Sequence, residues 1–481
     1  MSTSDLKHLF DFSDKFNPML VKELRQGLRG PGFVALFISF QAILAFILLF
    51  TAALASHENA GHLISRTIFF LFSCAVLIVQ PLRGITSLSS EIKSDTIDLL
   101  CLTRLSSWRI TFGKWVSLVS QSALILTAIT PYFVFRYFFG SMQIFSEIML
   151  LLSIFVTSAT LVACAIGLSG TKSLIIKLLL PLVSSIFILS LIFNVFVRSP
   201  FAYQSMLQIF DFSSGDNFFI LSALFIMCIY VAWMSLDFGC SQIAPIAENR
   251  ATQKRLISFA MITISLIAMG ISDLDSEVAI TLGVFLCIPI IITSLTESPQ
   301  LVPSITVPFT KKGLLGKIAG RLLYPGWATG LLFVLLLFIL MQIAHFIVSP
   351  KTWHYHDDLQ LITLVIFSAL LLPVAFTRIF AKKSENRFGL FMLFMASQIL
   401  IVCFCFAIEE MSSGPEVFPY FCWIPLTLPI LDSGYGFPPQ TITVIAWINI
   451  LAYFFIALAT SRPTWEEIRI TENKVQNLTR S

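Results

Sequence analysis

The sequence predicts an all-α polytopic membrane protein with about 12 transmembrane helices, an N-terminal interfacial helix and both termini cytoplasmic. Three observations predict it. First, 57 % of the 481 residues are apolar and 12 % are charged, with a mean hydropathy of +0.87. Soluble domains run at roughly 45–50 % apolar and about 25 % charged. Second, twelve stretches are long and apolar enough to approach the ~20 residues that cross a bilayer. Third, the basic residues alternate between the connecting loops. The composition excludes a soluble enzyme, a disordered chain and a nucleic-acid binder.

The stretches fall at 32–54, 66–82, 115–138, 147–167, 175–196, 217–238, 256–271, 279–296, 327–348, 359–378, 388–408 and 441–460, the seventh being the shortest. With the N-terminus inside, 27 of the 31 Lys and Arg fall in 1–31, 83–114, 168–177, 239–255, 297–326, 378–387 and 461–481. Arg66, Arg136, Arg198 and Lys351 are left for the outside. That asymmetry follows the positive-inside rule. The loop at 409–440 carries Glu409, Glu410, Glu416 and Asp432 but no Lys or Arg, as an outside loop does. Residues 1–31 lack a basic region running directly into an apolar core, so no cleavable signal peptide is expected. The implied location is the plasma membrane, or the inner membrane of a bacterium.

Residues 14–29 read as an amphipathic helix. Asn17 can cap it and Pro18 suits the first helical position. Phe16, Leu20, Val21, Leu24 and Leu28 recur near helical spacing. Lys22, Glu23, Arg25, Gln26 and Arg29 fill the other face, and Gly30-Pro31-Gly32 follows. Such a helix lies in the headgroup plane, though a basic anchor that merely sets topology would have the same pattern.

Between the second and third stretches, Asp95 or Thr96 can cap a short helix holding Leu99 and Leu100, and Ser106 or Ser107 can cap the next. An apolar tip with acidic flanks facing the cytosol invites a partner surface; the alternative is a helix folded back on the protein's own spans. The order Glu91, Thr96, Asp98, Leu99, Leu100, Thr103, Leu105, Ser106, Ile110, Gly113, Lys114 resembles the corresponding loop of the permease (membrane-spanning) subunits of type-2 ABC exporters. Asn17 to Arg25 is similar to the start of permeases in that class. The resemblance covers about residues 14–240, one six-span unit. It implies that 1–31 supplies the interfacial helix, that 32–240 is the permease unit, and that 91–103 is a coupling helix docking on a separate ATPase. Carried onto this chain, the coupling residues are Glu91, Asp95, Thr96, Asp98, Leu99, Leu100, Thr103, Gly113 and Lys114, with Pro18, Leu20, Lys22, Glu23, Leu24 and Arg25 in the interfacial helix. Asp95 stands where the family has Gly, and Arg104 where it has Pro. The resemblance also permits short re-entrant helices in 197–217, where Phe201, Met206, Leu207, Ile209 and Phe210 are apolar.

Residues 241–460 read as a six-span extension and 461–481 as a cytoplasmic tail. No second copy of the 91–114 pattern occurs; Lys311-Lys312-Gly313-Leu314-Leu315-Gly316-Lys317 is basic and Gly-rich but lacks its acidic-Thr-Leu-Leu element. The same run is too short for a phosphate loop, and Ile318 replaces the hydroxyl that would hold Mg²⁺. ATP is therefore expected on a partner subunit, with no cofactor on this chain.

No zinc helix and no nucleophile elbow occurs. His354, His356, Asp357 and Asp358 read as a solvated loop edge. Of the nine cysteines, Cys74, Cys164, Cys228, Cys287 and Cys403 lie in apolar stretches and read as small hydrophobes. Cys403 and Cys405, two apart on a helix, face apart and form no metal pair. Cys422 alone reads as extracytosolic, so no disulfide framework is implied. Gln41, Gln121, Asn194, Asp237, Gln342, His345, Gln398 and Asn449 are polar groups within spans. They either join neighbouring helices or line a pathway.

The function the resemblance implies is that of a membrane subunit of an ATP-driven ABC transporter of the exporter type, coupled to an ABC ATPase subunit and able to pair with itself or a second permease. Lipid surrounds it, and no nucleic acid is implied. The rivals are a twelve-span secondary transporter driven by an ion gradient and a lipid-modifying membrane enzyme.

Overall fold

The structure, a computed structural model, describes residues 18–54, 60–89, 92, 106–140, 142–171, 173–211, 215–245, 248–271, 276–298, 301–348, 356–381, 386–411, 418–434 and 438–480. Every regular element among them is helical. The chain divides into two compact units, Met1–Ala244 and Pro245–Ser481. Ten helices are long and apolar enough to cross a membrane. Helices also form at the seventh and eighth stretches. The eighth offers a shorter apolar helix, Ile280–Thr296, and the seventh is not among the ten. We call the ends that the basic residues assign to the cytosol the inner ends.

Unit 1 runs α1 (Pro18–Arg29), α2 (Pro31–Leu54), α3 (Gly61–Gly84), α4 (Ser107–Tyr137), α5 (Ile144–Ser169), α6 (Leu174–Phe193), α7 (Pro200–Ile209) and α8 (Gly215–Ile243). A π-helical turn, Cys74–Val79, interrupts α3 just before Pro81. Proline lacks the N–H that would close the preceding turn and its ring crowds the carbonyl four residues back. Ser158 of α5 donates to the Val76 carbonyl at 2.6 Å, so the widened turn is tied to its neighbour. The core gathers around Phe69, whose ring stacks on Phe196 at 5.9 Å and meets Phe133 edge-on at 5.6 Å. Helices α5 and α8 approach closely because Gly167 has no side chain: a Cβ there would lie 2.3 Å from the Ser235 carbonyl oxygen.

At the outer end, the sequence assigned Arg66 and Arg136 to the outside; both lie within helices. Arg136 is fully buried. It donates to the Gly140 carbonyl at 2.6 Å and pairs with Glu147 at 3.4 Å, while Ser65 donates to the same carboxylate at 3.1 Å. Arg66 donates to the carbonyls of Phe196 and Val197. These carbonyls sit in the π-helical turn Asn194–Arg198, where regular helix bonding fails. Helix α7 follows, capped by Ser199, whose hydroxyl accepts from the Ala202 amide at 3.1 Å. Its Tyr203 and Leu207 are buried in the unit's core. Among the described residues of 197–217, one short helix, α7, lies between the π-helical turn and α8.

Unit 2 runs α9 (Arg250–Ile271), α10 (Ser276–Thr296), α11 (Pro303–Thr310), α12 (Gly313–Leu323), α13 (Trp327–Val348), α14 (His356–Phe380), α15 (Arg387–Met411), α16 (Leu428–Gly434), α17 (Pro439–Thr460) and α18 (Arg462–Arg480). Helix α14 is central, touching α10, α15 and α17. Helices α11, α12 and α18 form a cap at the inner end, joined by a small core of Ile305, Tyr324 and Ile468 with Phe309 and Trp465 against it.

The segment 418–434, expected as outside loop, enters the bundle. Phe418 packs edge-on to Phe406 near the outer end of α15. Trp423, a few residues on, stacks on Phe376, one turn from the inner end of α14. Phe376 also contacts Phe394, two turns into α15. At 1.5 Å per helical residue these levels differ by roughly 20 Å. The segment descends through two 3₁₀ turns and returns through α16, a re-entrant hairpin by its own contacts. Irregular backbone at such depth needs its polar groups satisfied inside the protein. Asn449 donates to the Cys422 carbonyl at 2.9 Å, Tyr453 to the Trp423 carbonyl, and Thr427 to the Phe421 carbonyl at 2.9 Å.

Candidate functional site

The site that the sequence singled out lies at the inner end of unit 1. Glu91, Asp95, Thr96, Asp98, Leu99, Leu100 and Thr103 lie outside the described residues, as do Phe16 and Asn17. The remaining site residues fall on two helices. Pro18, Leu20, Lys22, Glu23, Leu24 and Arg25 are in α1, and Gly113 and Lys114 are in α4.

These two helices dock on each other. Lys114 pairs with Glu23 at 3.2 Å, with side chains only 8 % and 14 % exposed. Ser117 donates to the Glu23 carbonyl at 2.9 Å. Gly27 permits the approach: a Cβ there would lie 2.4 Å from the Ser117 hydroxyl and 2.6 Å from the Gln121 amide nitrogen. Gln121 is buried and accepts from Arg83, whose guanidinium lies 5.6 Å from the Phe33 ring. One polar chain thus joins α1, α4, α3 and α2. Leu20, Val21, Leu24 and Leu28 are half-buried, and Lys22, Arg25 and Arg29 are exposed. The α1 helix keeps its amphipathic character while resting on its own bundle.

Both stems of the 93–105 segment are anchored. On the leading side Leu88 is fully buried, and its amide donates to the Ser169 hydroxyl of α5 at 3.2 Å. On the returning side α4 starts at Ser107, eight residues before the apolar stretch expected to begin at 115. Its extra turns are stabilised by Trp108 stacked on Phe112 at 6.1 Å and by the Lys114 pair. Trp115 donates to the Ala159 carbonyl of α5 at 2.9 Å, and Cys240 of α8 contacts the Thr111 hydroxyl at 3.2 Å. Leu88, Trp108, Trp115, Ile166 and Leu236 pack together. These contacts hold the inner ends of α3, α4, α5 and α8 together on both sides of the segment.

The other polar groups are mostly helix joints. Gln398 donates to the Ala369 carbonyl at 3.0 Å, His345 bonds Thr363 at 2.8 Å, Asn449 holds the re-entrant segment, and Asn194 bonds back to Ser190 at 2.8 Å. Asp237 is buried, Gln41 and Gln342 half-buried. Cys405 is buried and Cys403 exposed, on different faces. His354 and the side chains of His356, Asp357 and Asp358 lie outside the described residues. Among the described residues no group of three or more His, Cys, Asp or Glu is placed to hold a metal ion.

Sequence reasoning missed a buried hub in unit 2. Arg255, counted only as a basic loop residue, is fully buried. It donates to Leu322 O and Thr329 Oγ1 at 3.0 Å, Gly326 O at 2.9 Å and Glu297 Oε2 at 2.7 Å. Lys254 stands 3.8 Å from the other oxygen of Glu297. Gly326 has φ +126°, a conformation that favours glycine and turns its carbonyl to Arg255. An Arg next to a Lys at a span's inner end was the available signal, since a buried guanidinium needs a carboxylate nearby.

No family model, no curated protein and no solved structure matches this chain.

Proposed function

We propose that this chain is the membrane-spanning permease subunit of an ATP-driven ABC transporter of the exporter type, coupled to a separate ATPase. The observation that carries the reading is the Glu23–Lys114 pair. It joins the two stretches in which the resemblance lies, the α1 helix and the end of the 91–114 segment. A coupling helix has to move against a fixed reference. The stems at Leu88 and Ser107, tied to α5 and α8, supply a platform of that kind. The chain itself binds no ATP in this reading, carries twelve spans in the plasma membrane with both termini inside, and pairs with itself or a second permease.

Leu99→Asp with Leu100→Asp tests it. A charge in a buried apolar contact costs several kcal/mol unless paired, and each 1.4 kcal/mol is tenfold in affinity. The double variant should lose a co-purifying ATPase or uncouple hydrolysis from transport while yield is kept. Reduced yield instead would mean that the segment folds back on the spans. Unchanged yield, ATPase retention and transport would overturn the assignment.

A second reading, an ion-gradient-driven secondary transporter, is favoured by the re-entrant segment at 418–434, since interrupted helices at depth form ion and substrate sites in such proteins. Transport in vesicles that persists without ATP and stops with an ionophore would select it.

A further inference from the structure

We propose that α12 is a lipid-reading helix that lies in the inner headgroup layer and selects anionic phospholipid. Two glycines fix which way it faces. A Cβ at Gly316 would sit 2.1 Å from the Phe309 carbonyl oxygen of α11, and one at Gly320 would sit 2.5 Å from the Tyr324 ring. The glycine face is therefore pressed against the cap and cannot turn outward. The opposite face carries Leu314, 80 % exposed, Leu315, 81 % exposed, and Ile318, 57 % exposed.

The level of this face follows from its neighbours. The 297–326 connection leaves α10 at Thr296 and enters α13 at Trp327, so α12 sits beyond the ends of two apolar helices. Arg255 holds the Leu322 carbonyl, which ties the last turn of α12 to the inner end of α9. A helix there, with three leucine-class side chains outward, meets the boundary between acyl chains and headgroups.

Charge identifies the lipid. Lys311 and Lys312 are exposed, Lys317 is half-buried, and none has an acidic partner among the described residues. The helix itself has no acidic residue. Arg321 differs, being paired with Glu472 at 3.1 Å. Three unmatched ammonium groups around an apolar patch complement phosphatidylglycerol-like headgroups, with a preference of roughly fivefold per lysine near an anionic surface. A protein docking on this face would need acidic residues to match, and is the competing outcome.

Photo-crosslinking decides. A benzoylphenylalanine placed at Leu315 in the full chain, reconstituted in nanodiscs of equal parts phosphatidylcholine and phosphatidylglycerol, should give phospholipid adducts with phosphatidylglycerol in several-fold excess. Lys311→Gln, Lys312→Gln and Lys317→Gln together should bring the ratio to about one without lowering thermal stability, since the lysines hold no acidic partner among the described residues. High salt on the otherwise unaltered chain should lower the ratio too, because exposed charges are screened, and this arm needs no folded triple variant. Lipid adducts at equal ratio would overturn the anionic preference. A protein adduct, or no adduct, would overturn the lipid assignment.

Discussion

In unit 2 one helix, α14, has 78 % of its apolar window buried, whereas no span of unit 1 exceeds 44 %. Helix α6 of unit 1 buries only 11 %, leaving Leu179, Leu182, Val183, Ile186 and Phe187 outward. Unit 2 is built around a centre: α14 is wrapped by α10, α15, α17 and the re-entrant hairpin. Unit 1 has its most specific contacts at its two ends, the Arg136–Glu147 cluster at one and the α1–α4 junction at the other. The outward face of α6 is left open to lipid or to a second membrane chain. Helix α14, by contrast, is enclosed by its own unit.

The largest expected effect separates the two inner ends. Arg255→Met leaves Glu297 and three backbone or hydroxyl acceptors without their guanidinium. Removing one partner of a buried ion pair costs about 3–5 kcal/mol. Lys114→Met should cost about 1–2 kcal/mol, because Glu23 retains some exposure and can reach water. Thermal denaturation of the purified chain in detergent reads both. Equal losses would erase the distinction between the hub and the junction.

Next come the glycine contacts. A Cβ at Gly330 would lie 2.2 Å from the Ser294 carbonyl oxygen, so Gly330→Ala must push α10 and α13 apart. Overpacking of that kind costs about 1–3 kcal/mol. In Gly27→Ala the obstacles are the ends of the Ser117 and Gln121 side chains, which can rotate. That variant should keep stability but loosen α1, and a transport assay should register it more than a melting curve does.

The re-entrant hairpin gives a smaller effect on stability and a clear one on access. Cys422 should resist a membrane-impermeant maleimide that labels Gly414→Cys from outside, and a probe at Ser94 should be labelled only from inside. Tyr453→Phe or Asn449→Leu each removes one bond to a deep carbonyl, worth about 1 kcal/mol, and should raise Cys422 labelling. Ready labelling of Cys422 in the unaltered chain would place the segment at the surface and remove the contrast.

These elements also mark how far the residues could be read in order. Long apolar runs announce helices wherever they occur, and the α1 pattern from Leu20 to Leu28 is local, so both were legible. The 418–434 segment was not. The acidic residues Glu409, Glu410, Glu416 and Asp432 and the lack of Lys or Arg across 409–440 read as an outside loop, whereas the depth of 418–434 depends on Asn449, Tyr453 and Phe376, all distant in sequence. Arg255 was misread for the same reason: its partners lie at 297 and 322–329, beyond any local window. Arg136 looked like a loop charge until Ser65 and Glu147 closed around it. At the α1–α4 junction, the residue types were visible and the pairing of Glu23 with Lys114 was not.

The smallest effect concerns the cap of unit 2, which has no counterpart among the described residues at the inner end of unit 1. Tyr324 is fully buried in that cap, and its hydroxyl has no hydrogen-bond partner among the described residues. Burial, and then the carboxylate of Glu472, push the phenol up to about 12. Its ordinary value is near 10. A pKa raised by folding means that the folded state favours the neutral phenol more than the unfolded chain does. The contribution is complete below about pH 10 and is lost as pH rises from there through about 12. Tyr324→Phe removes the ionisable group and no hydrogen bond. The variant should match the unaltered chain at neutral pH and melt higher than it above about pH 10. The difference curve cancels every other lysine and tyrosine. A gap that is flat with pH would mean that the Tyr324 phenol meets water, and that the α11–α12–α18 cap is as open as the flank of unit 1.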